Sequence, residues 1–273
     1  MPSLPRLSAF LACLLVAGCS SLTLGYGQLP RLMNWWIGGY LDFDRAQGRQ
    51  LDTALRQWHD WHRREELAQW QALLAQADAL LDGGLDEPEL LRLEKSFDDS
   101  LRRCLERAAP LAQPLLASLS EMQWAQLRRR MAEKQQEWRE REDERDDEER
   151  GDRYVKVLER WLGELPPAAE RLARQQAAQW PRGDVALWHE RRDAQQRTLD
   201  GLRAWAAGDL AGGTRLLLAA SARDASARGP AGAAMRQRSL ANLAALTRVI
   251  EPGLARRQWA RWQADMQQLR NGS

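Results

Sequence analysis

Apolar residues between Asp44 and Leu81 recur every three or four positions, and this spacing constrains the fold more than any other feature of the chain. Leu51, Leu55 and Trp58 lie at such steps, which place them on one face of an α-helix. At a rise of 1.5 Å per residue, a helix over this stretch would be about 57 Å long. The pattern therefore favours an elongated bundle of long amphipathic helices.

The remaining chain repeats this helical spacing and shows little strand-like alternation. Pro88, after Asp86, is typical of a helix start, and Ser120 with Gln123 predicts a capping box. Alternation from Ser21 to Gln28 predicts an extended tether or a short strand, and Pro30 disfavours helix just before it. Pro110 and Pro114 are expected to break or kink a helix, and Gly208, Gly212 and Gly213 to loosen a later segment. The predicted fold class is all-α.

Residues 139–150 form an unbroken charged run that mixes four arginines with eight acidic side chains. None of these side chains can be buried cheaply, and many are spaced for i,i+3 or i,i+4 ion pairs. The run predicts a solvated helix that protrudes from the body, or a flexible link. A binding surface for a basic partner is the weaker alternative, because both signs are present.

A short apolar stretch near the N-terminus ends in Val16-Ala17-Gly18-Cys19. It is too short to span a bilayer, and its end resembles the lipobox of bacterial lipoproteins. The resemblance implies cleavage before Cys19, lipid on its thiol and acylation of its amine. An ordinary signal peptide or a buried helix with a chance cysteine is the alternative. Ser20 with Ser21 resembles the pattern that sorts lipoproteins to the outer membrane, facing the periplasm.

These features divide the chain into three expected parts. Residues 1–18 form a signal peptide, residues 19–43 a lipidated tether with an aromatic clamp, and residues 44–271 a helical domain. Within the tether, Trp35, Trp36 and Tyr40 form an aromatic cluster. Such rings favour a membrane–water interface, but they also bury large areas in cores. We expect them to pin the tether onto the helical body, with membrane contact as the alternative.

Charge and cysteine content exclude several classes of function. The chain has 40 basic and 38 acidic side chains, so no basic field indicates nucleic-acid binding. Apart from the lipidated cysteine, the mature chain has Cys104 alone. We expect Cys104 to be a buried, small apolar residue of a helix, with an intermolecular disulfide as the alternative.

The stretch Trp58-His59-Asp60-Trp61-His62-Arg63-Arg64-Glu65-Glu66 is the best candidate site. His59, His62 and Glu66 have the helical spacing that metal ligands use, but a closed zinc site needs about four ligands. We therefore expect no metal, with His62 and Trp58 packed inward and Arg63 or Arg64 paired to acids of neighbouring helices. No phosphate loop, nucleophile elbow or zinc-protease motif is present, so we predict no catalytic residue and no cofactor.

The stretch from Leu22-x-Leu24-x-Tyr26 through Trp35-Trp36 and Tyr40-Leu41-Asp42 to Trp58-x-x-Trp61-His62-Arg63 resembles the signature of an uncharacterised proteobacterial lipoprotein family. That resemblance implies a helical lipoprotein and no chemistry. Leu119-Ser120-x-x-Gln123 is similar to a motif of small periplasmic helical chaperones of the Spy type.

Together these features predict a non-enzymatic binding or scaffolding protein, held at a membrane by Cys19. Its partner would be an unknown protein or another envelope component. Surface candidates for interaction are Trp35, Trp36, Tyr40, Trp58, Trp61, His62 and Arg63. A periplasmic chaperone-like protein, or a hydrolase acting on envelope material, is the alternative function.

Overall fold

The computed structural model describes residues 25–180, 185–221 and 229–271, and within these ranges the chain forms helices and no strands. Eleven α-helices build a multi-helix bundle, which confirms the predicted all-α class. In chain order they are α1 (Leu29–Gly38), α2 (Arg45–Trp61), α3 (Leu67–Leu80), α4 (Glu87–Ala117), α5 (Glu121–Glu144), α6 (Asp147–Leu162), α7 (Pro167–Ala178), α8 (Val185–Ala206), α9 (Leu210–Ala220), α10 (Pro230–Val249) and α11 (Pro252–Arg270). Within the same ranges, no helix has both the length and the apolar character needed to cross a membrane.

The long helix predicted from Asp44 to Leu81 is present, but a π-helical turn interrupts its regular winding. α2 passes directly into the π turn His62–Glu66 and from there into α3, and a 3-10 turn at Leu81–Gly83 ends the segment. A π turn accommodates an extra residue and is frequent at functional sites. Here it falls within the stretch that the sequence indicates as the candidate site.

α4 runs without interruption through both of its prolines, so the predicted break at Pro110 and Pro114 is wrong. Each proline lacks an N–H donor and would cost an isolated helix about 3 kcal/mol. The two residues are four positions apart and exposed, so they share the outward face of α4. On its inward side Ala109, Leu115 and Leu116 are buried, and their packing offsets this cost.

Two predicted helix starts are confirmed. Asp86 accepts a hydrogen bond from the backbone N–H of Glu89 at the start of α4, with Pro88 in the first turn. Ser120 accepts one from the backbone N–H of Gln123, whose side-chain oxygen accepts the N–H of Ser120. Both are capping boxes, which satisfy donors that a helix start otherwise leaves without partners.

The charged run 139–150 is mostly helical and exposed, as predicted for a solvated helix, but it is divided between two helices rather than forming one protruding helix or a flexible link. α5 ends at Glu144, Arg145 is extended, and Asp146 caps α6 through the backbone N–H of Glu149. The run therefore forms a corner between two helices. Its acidic residues in the first turn of α6 are favourably placed at the positive end of the helix dipole.

Two main groups of buried apolar side chains hold the bundle together. One joins α3, α6, α7, α10 and α11, and includes Leu162, Ala169, Leu246 and Trp259. The other joins the segment before α2 to α4, α5, α8 and α9, and includes Leu41, Leu116, Trp124, Leu199 and Trp205. The second group borders the cavity described below.

Glycines bring α8 and α9 into close contact, so the predicted loosening of this segment is wrong for Gly212 and Gly213. Both lie buried inside α9. A Cβ on Gly201 of α8 would lie 2.9 Å from the carbonyl oxygen of Gly213, and a Cβ on Gly213 would collide with the indole of Trp205. Only glycine lets these two backbones approach so closely.

Candidate functional site

The outer face of α1 exposes three large apolar side chains. Leu32, Trp35 and Trp36 are 51%, 79% and 59% exposed, and their spacing of three and one places them side by side. The prediction that the aromatic rings pin the tether to the body is therefore wrong for Trp35. It holds for Tyr40, which is partly buried and packs against the core of the bundle. The opposite face of α1 attaches this helix to the body, because Met33 and Ile37 pack against Leu51, Leu55 and Leu115.

The segment before α1 is also helical where the structure describes it. Gly25–Gly27 forms a helical turn, and α1 begins at Leu29 with Pro30 in its first turn. The expected extended tether or strand is therefore wrong for residues 25–28, and the part from 21 to 24 lies outside the described residues. Proline is compatible with a first helical turn, because the N–H it lacks has no partner there.

An open apolar cavity of about 530 Å³ lies beside α1, between α2, α4, α5 and α8. Its size falls within the roughly 300–1,000 Å³ of small-molecule sites. Trp36 and Tyr40 line it at the α1 side, and their rings meet edge to face with centroids 4.9 Å apart. The other apolar walls include Leu51, Leu115, Leu116, Leu127, Met131 and Leu202.

The polar groups of this cavity are gathered at one end. Along α5 the lining passes from Leu127 to Lys134 and Gln135, and along α8 from Leu202 to Thr198 and Gln195. α5 and α8 run antiparallel, since Arg203 pairs with Glu121 at 3.1 Å and the rings of Trp138 and Trp188 lie 5.3 Å apart. Lys134 and Gln135 therefore lie at the same end as Gln195. Among the residues that the structure describes, Lys134 is the one charged residue of the lining.

Two glutamines fix the segment that carries Tyr40 and Leu41 at the edge of the cavity. Gln47 is buried and donates to the backbone carbonyl of Ser118 at 3.1 Å. Gln123 donates to the backbone carbonyl of Asp42 at 2.9 Å and to the side chain of Gln47 at 2.7 Å. The motif that resembles a chaperone motif thus serves here as both a helix cap and a tertiary link.

Apart from the cavity, the π turn and α2 form a cluster of aromatic and ionisable side chains together with Tyr26. The Tyr26 hydroxyl lies 2.8 Å from His62 Nδ1, and the His62 ring lies 4.9 Å from that of Trp58. Burial raises the pKa of Tyr26, so the hydroxyl remains protonated and donates to the imidazole. Burial lowers the pKa of His62 to about 4, so the imidazole is neutral and accepts. The inward packing predicted for Trp58 and His62 is confirmed.

Glu66 ends the π turn and is 1% exposed. Burial raises its pKa, but hydrogen bonds from Arg103 and Ser100 outweigh this effect and hold the pKa below its ordinary value. Arg103 Nε and Nη2 donate to the two carboxylate oxygens at 2.9 and 2.7 Å. The carboxylate is therefore ionised, paired and unavailable as a free general base.

The weak metal candidates do not converge on one point. His62 Nδ1 accepts from Tyr26, and both oxygens of Glu66 accept from Arg103. His59 packs against the ring of Tyr26, with centroids 4.6 Å apart. Across the described residues, no group of three or more histidine, cysteine or acidic side chains has the arrangement of a metal site.

The other candidates of this stretch lie partly at the surface. Arg63 forms a 3.7 Å ion pair with Asp60 of its own helix, so its predicted pairing to a neighbouring helix is wrong. The residue that does reach across to a neighbouring helix is Glu66. Trp61 is half-buried, with its ring 6.4 Å from that of Trp58.

Cys104 lies in α4, which confirms its expected place in a helix, but its free thiol is only partly buried rather than buried as predicted. Burial raises its pKa to about 12. The backbone carbonyl of Cys104 accepts a hydrogen bond from Trp58 Nε1 at 3.0 Å. The thiol therefore stays protonated and is a poor nucleophile.

The cavity itself was missed at the level of sequence. Leu127 and Met131 have the spacing of an ordinary buried helix face, and so does Leu202 with Thr198. One available signal is the change from apolar to polar residues along the same faces, at Lys134 in α5 and Gln195 in α8. Only the antiparallel pairing of these helices shows that the two changes coincide.

Fold and site together define an all-α bundle with an open apolar cavity beside an exposed aromatic helix. A family profile described as a family of unknown function, DUF6279, matches residues 39–214. The chain therefore belongs to this family. No curated protein matches the chain, and no solved structure matches it either.

Proposed function

We propose that this protein is an envelope lipoprotein that acts by binding rather than by catalysis. In this proposal, acyl chains on Cys19 hold it at the outer membrane, facing the periplasm, and α1 lies on the bilayer surface. The observation that carries the proposal is the outer face of α1, where no helix of residues 25–180, 185–221 and 229–271 covers Leu32, Trp35 and Trp36. In a protein of about 31 kDa, such a face close to an anchoring point is typical of membrane contact.

The distance between the anchor and α1 supports this arrangement. Leu29 lies ten positions after Cys19, and an extended chain spans at most about 3.5 Å per residue, so α1 starts within about 35 Å of the lipid. Tryptophan favours the membrane–water interface, where its ring is apolar and its N–H remains hydrated. Arg31 is exposed beside this face and would meet acidic headgroups.

The anchor and the helix contribute differently to binding. One buried acyl chain holds a protein only marginally, whereas two or more hold it stably, at about 0.8 kcal/mol per buried CH₂. The outer face of α1 has only three large apolar side chains, so it would orient the protein rather than retain it. This division predicts that anchorage depends on Cys19 and orientation on Trp35 and Trp36.

Labelling with radioactive palmitate, followed by membrane fractionation, tests the anchor. Cys19→Ala should lose the label and move to the soluble periplasmic fraction. Cys104→Ala is the matched control, and it should keep both the label and the membrane location. The proposal fails if Cys19→Ala remains labelled or remains in the membrane fraction to the same extent as the control.

Sorting between the two membranes is a separate test. Ser20 follows the proposed acylated residue, and an aspartate at that position is common in lipoproteins that stay in the inner membrane. Ser20→Asp should therefore shift the protein to the inner-membrane fraction of a density gradient, with Ser21→Asp as the neighbouring control. An unchanged distribution would contradict outer-membrane sorting through this position and would leave the anchor test unaffected.

A further inference from the structure

The apolar cavity next to α1 has the size, the lining and the location of a lipid-binding site. We propose that it binds a single acyl chain whose anionic headgroup lies at Lys134. The ligand class is thus a fatty acid or an anionic lysolipid. The source of the ligand rests on the membrane location in the proposed function. The chemical class of the ligand rests on the residues that line the cavity.

Shape and polarity of the cavity favour a chain over a compact ligand. The apolar lining extends over about one turn of α5, from Leu127 to Met131, and meets α4 at Leu115 and Leu116. Transfer of each CH₂ from water to such a surface contributes about 0.8 kcal/mol. The amide side chains of Gln135 and Gln195 lie only at the end of the cavity that also contains Lys134. One end of the ligand should therefore be polar and the remainder apolar.

Charge at the polar end selects an anionic headgroup. Lys134 is the one charged side chain of the lining, and its Nζ lies 3.5 Å from Glu137, a surface pair that water screens. Arg191, one turn before Gln195 in α8, adds a second cation beyond this end, with its guanidinium carbon 4.1 Å from the centre of the Trp138 ring. No carboxylate of the described part of the chain lines the cavity. A carboxylate or phosphate headgroup would therefore be attracted and a cationic one repelled.

Trp36 connects this cavity to the proposed membrane surface. Its ring lines the cavity and is at the same time 59% exposed on the outer face of α1. A chain could therefore pass from the bilayer along Trp36 into the cavity without crossing bulk water. Direct transfer of this kind avoids exposing the apolar chain to water.

The test uses the full lipidated chain in vesicles and palmitate with a photoactivatable diazirine in its acyl chain. After irradiation, adducts are mapped by mass spectrometry of peptides. We expect adducts on cavity residues of α4, α5 and α8, such as Leu116, Met131 and Leu202. Lys134→Glu, at an exposed position, should lower their yield about tenfold, the effect of losing one charged hydrogen bond. Lys156→Glu, an exposed lysine of α6, should leave the yield unchanged.

Two further arms define the headgroup. A photoactivatable palmitamide has the same chain without the charge, and Lys134→Glu should not reduce its labelling. An anionic photoactivatable lysolipid should compete with palmitate for the same peptides if both are ligands. Labelling by only one of the two supports the site and identifies the source of the chain.

The possible failures are distinguishable. Adducts confined to Leu32 and Trp35, with equal yields in the two lysine variants, would overturn the cavity inference and leave the membrane contact of α1 intact. Labelling of the cavity that appears only in Cys19→Ala would overturn binding of a free ligand, because the protein's own acyl chain would then be the occupant. Absence of adducts on α1 as well as in the cavity would contradict both proposals.

Discussion

Arg103 of α4 donates hydrogen bonds to both carboxylate oxygens of Glu66 in the π turn, at 2.9 and 2.7 Å. This bidentate pair joins the irregular turn of the long α2–α3 segment to the helix packed beside it. The same turn presents His62 to Tyr26, so the pair also positions the residues that bind the segment before α1. An ion pair inside the bundle thus helps to place α1 at its surface.

Loss of this pair should destabilise the protein markedly. Arg103→Met leaves the carboxylate of Glu66 buried with only the Ser100 hydroxyl as a partner. The loss of its counter-ion should cost about 3 kcal/mol, the lower end of the range because Arg103 is partly exposed. Lys95→Met removes the exposed pair with Asp99 on the same helix and should cost no more than about 0.5 kcal/mol. Urea denaturation of both variants measures the difference. Adding Glu66→Leu to Arg103→Met should recover stability, and equal losses in the two single variants would contradict this account.

Stability should fall as the pH is lowered from about 6.5 to about 4. Burial lowers the pKa of His62 from 6.5 to about 4, so in this window the unfolded chain binds more protons than the folded one and stability increases with pH. His59, whose pKa burial also lowers, acts in the same direction, as does Glu66 below its ordinary value of 4.5. For His62 alone, the free energy of unfolding should change by at most about 3 kcal/mol across this window.

The variant His62→Asn isolates the contribution of this imidazole. Its amide oxygen can accept the Tyr26 hydroxyl but binds no proton in this range. The pH dependence of the urea midpoint should therefore be shallower in the variant than in the wild type between about pH 6.5 and 4. Parallel curves for the two proteins would contradict the assignment to His62.

The close approach of α8 and α9 should not tolerate a methyl group. In Gly201→Ala the new Cβ would lie 2.9 Å from the Gly213 carbonyl oxygen and from Leu217 Cγ, and such overpacking costs about 1–3 kcal/mol. Gly48→Ala in α2 is the control, since its Cβ would meet no atom within 4 Å. That variant should gain about 0.5–1 kcal/mol from lower backbone entropy in the unfolded chain. Melting temperatures that change in the same direction would refute this prediction.

Removal of the exposed tryptophan should leave the fold intact. Trp35→Ser changes a side chain that is 79% exposed, so the free energy of unfolding should change by about 0.5 kcal/mol or less. Leu55→Ala, on the buried face that α1 covers, should cost about 2–5 kcal/mol. Calorimetry of the soluble Cys19→Ala chain measures both. A large loss for Trp35→Ser would support the sequence-based expectation that its ring packs on the body.

The helices were predictable because their apolar residues repeat with a period near 3.6, as Leu51, Leu55 and Trp58 do. The π turn was not predictable, since one added residue in a turn leaves the flanking pattern helical. Likewise, the sequence around Pro110 and Pro114 shows that proline destabilises a helix locally. It does not show that the inner face of α4 is buried and that its packing offsets this loss of stability. Local sequence signals therefore define the elements better than their irregularities.

The candidate site was predictable only in part. The inward packing of Trp58 and His62 follows from their helical spacing, and the capping box of Ser120 and Gln123 from local sequence. The exposure of Trp35 and Trp36 does not follow, because composition does not show whether another helix covers an apolar face. The cavity is lined by residues from three stretches that are distant in sequence, 36–51, 112–135 and 195–202, and only the folded chain brings them together.

The position of residue 35 relative to the bilayer tests the central claim most directly. In the full lipidated chain, a nitroxide is attached to the cysteine that Trp35→Cys introduces. Its relaxation reports collisions with oxygen, which is enriched in lipid, and with a nickel chelate, which remains in water. Cys104→Ala in the same chain removes a partly exposed free thiol that the nitroxide reagent could also label. Val157→Cys, an exposed apolar position on α6, provides the control. In vesicles, the account predicts that oxygen outcompetes the chelate at position 35 and that the chelate dominates at position 157, whereas dominance of the chelate at both positions would contradict it.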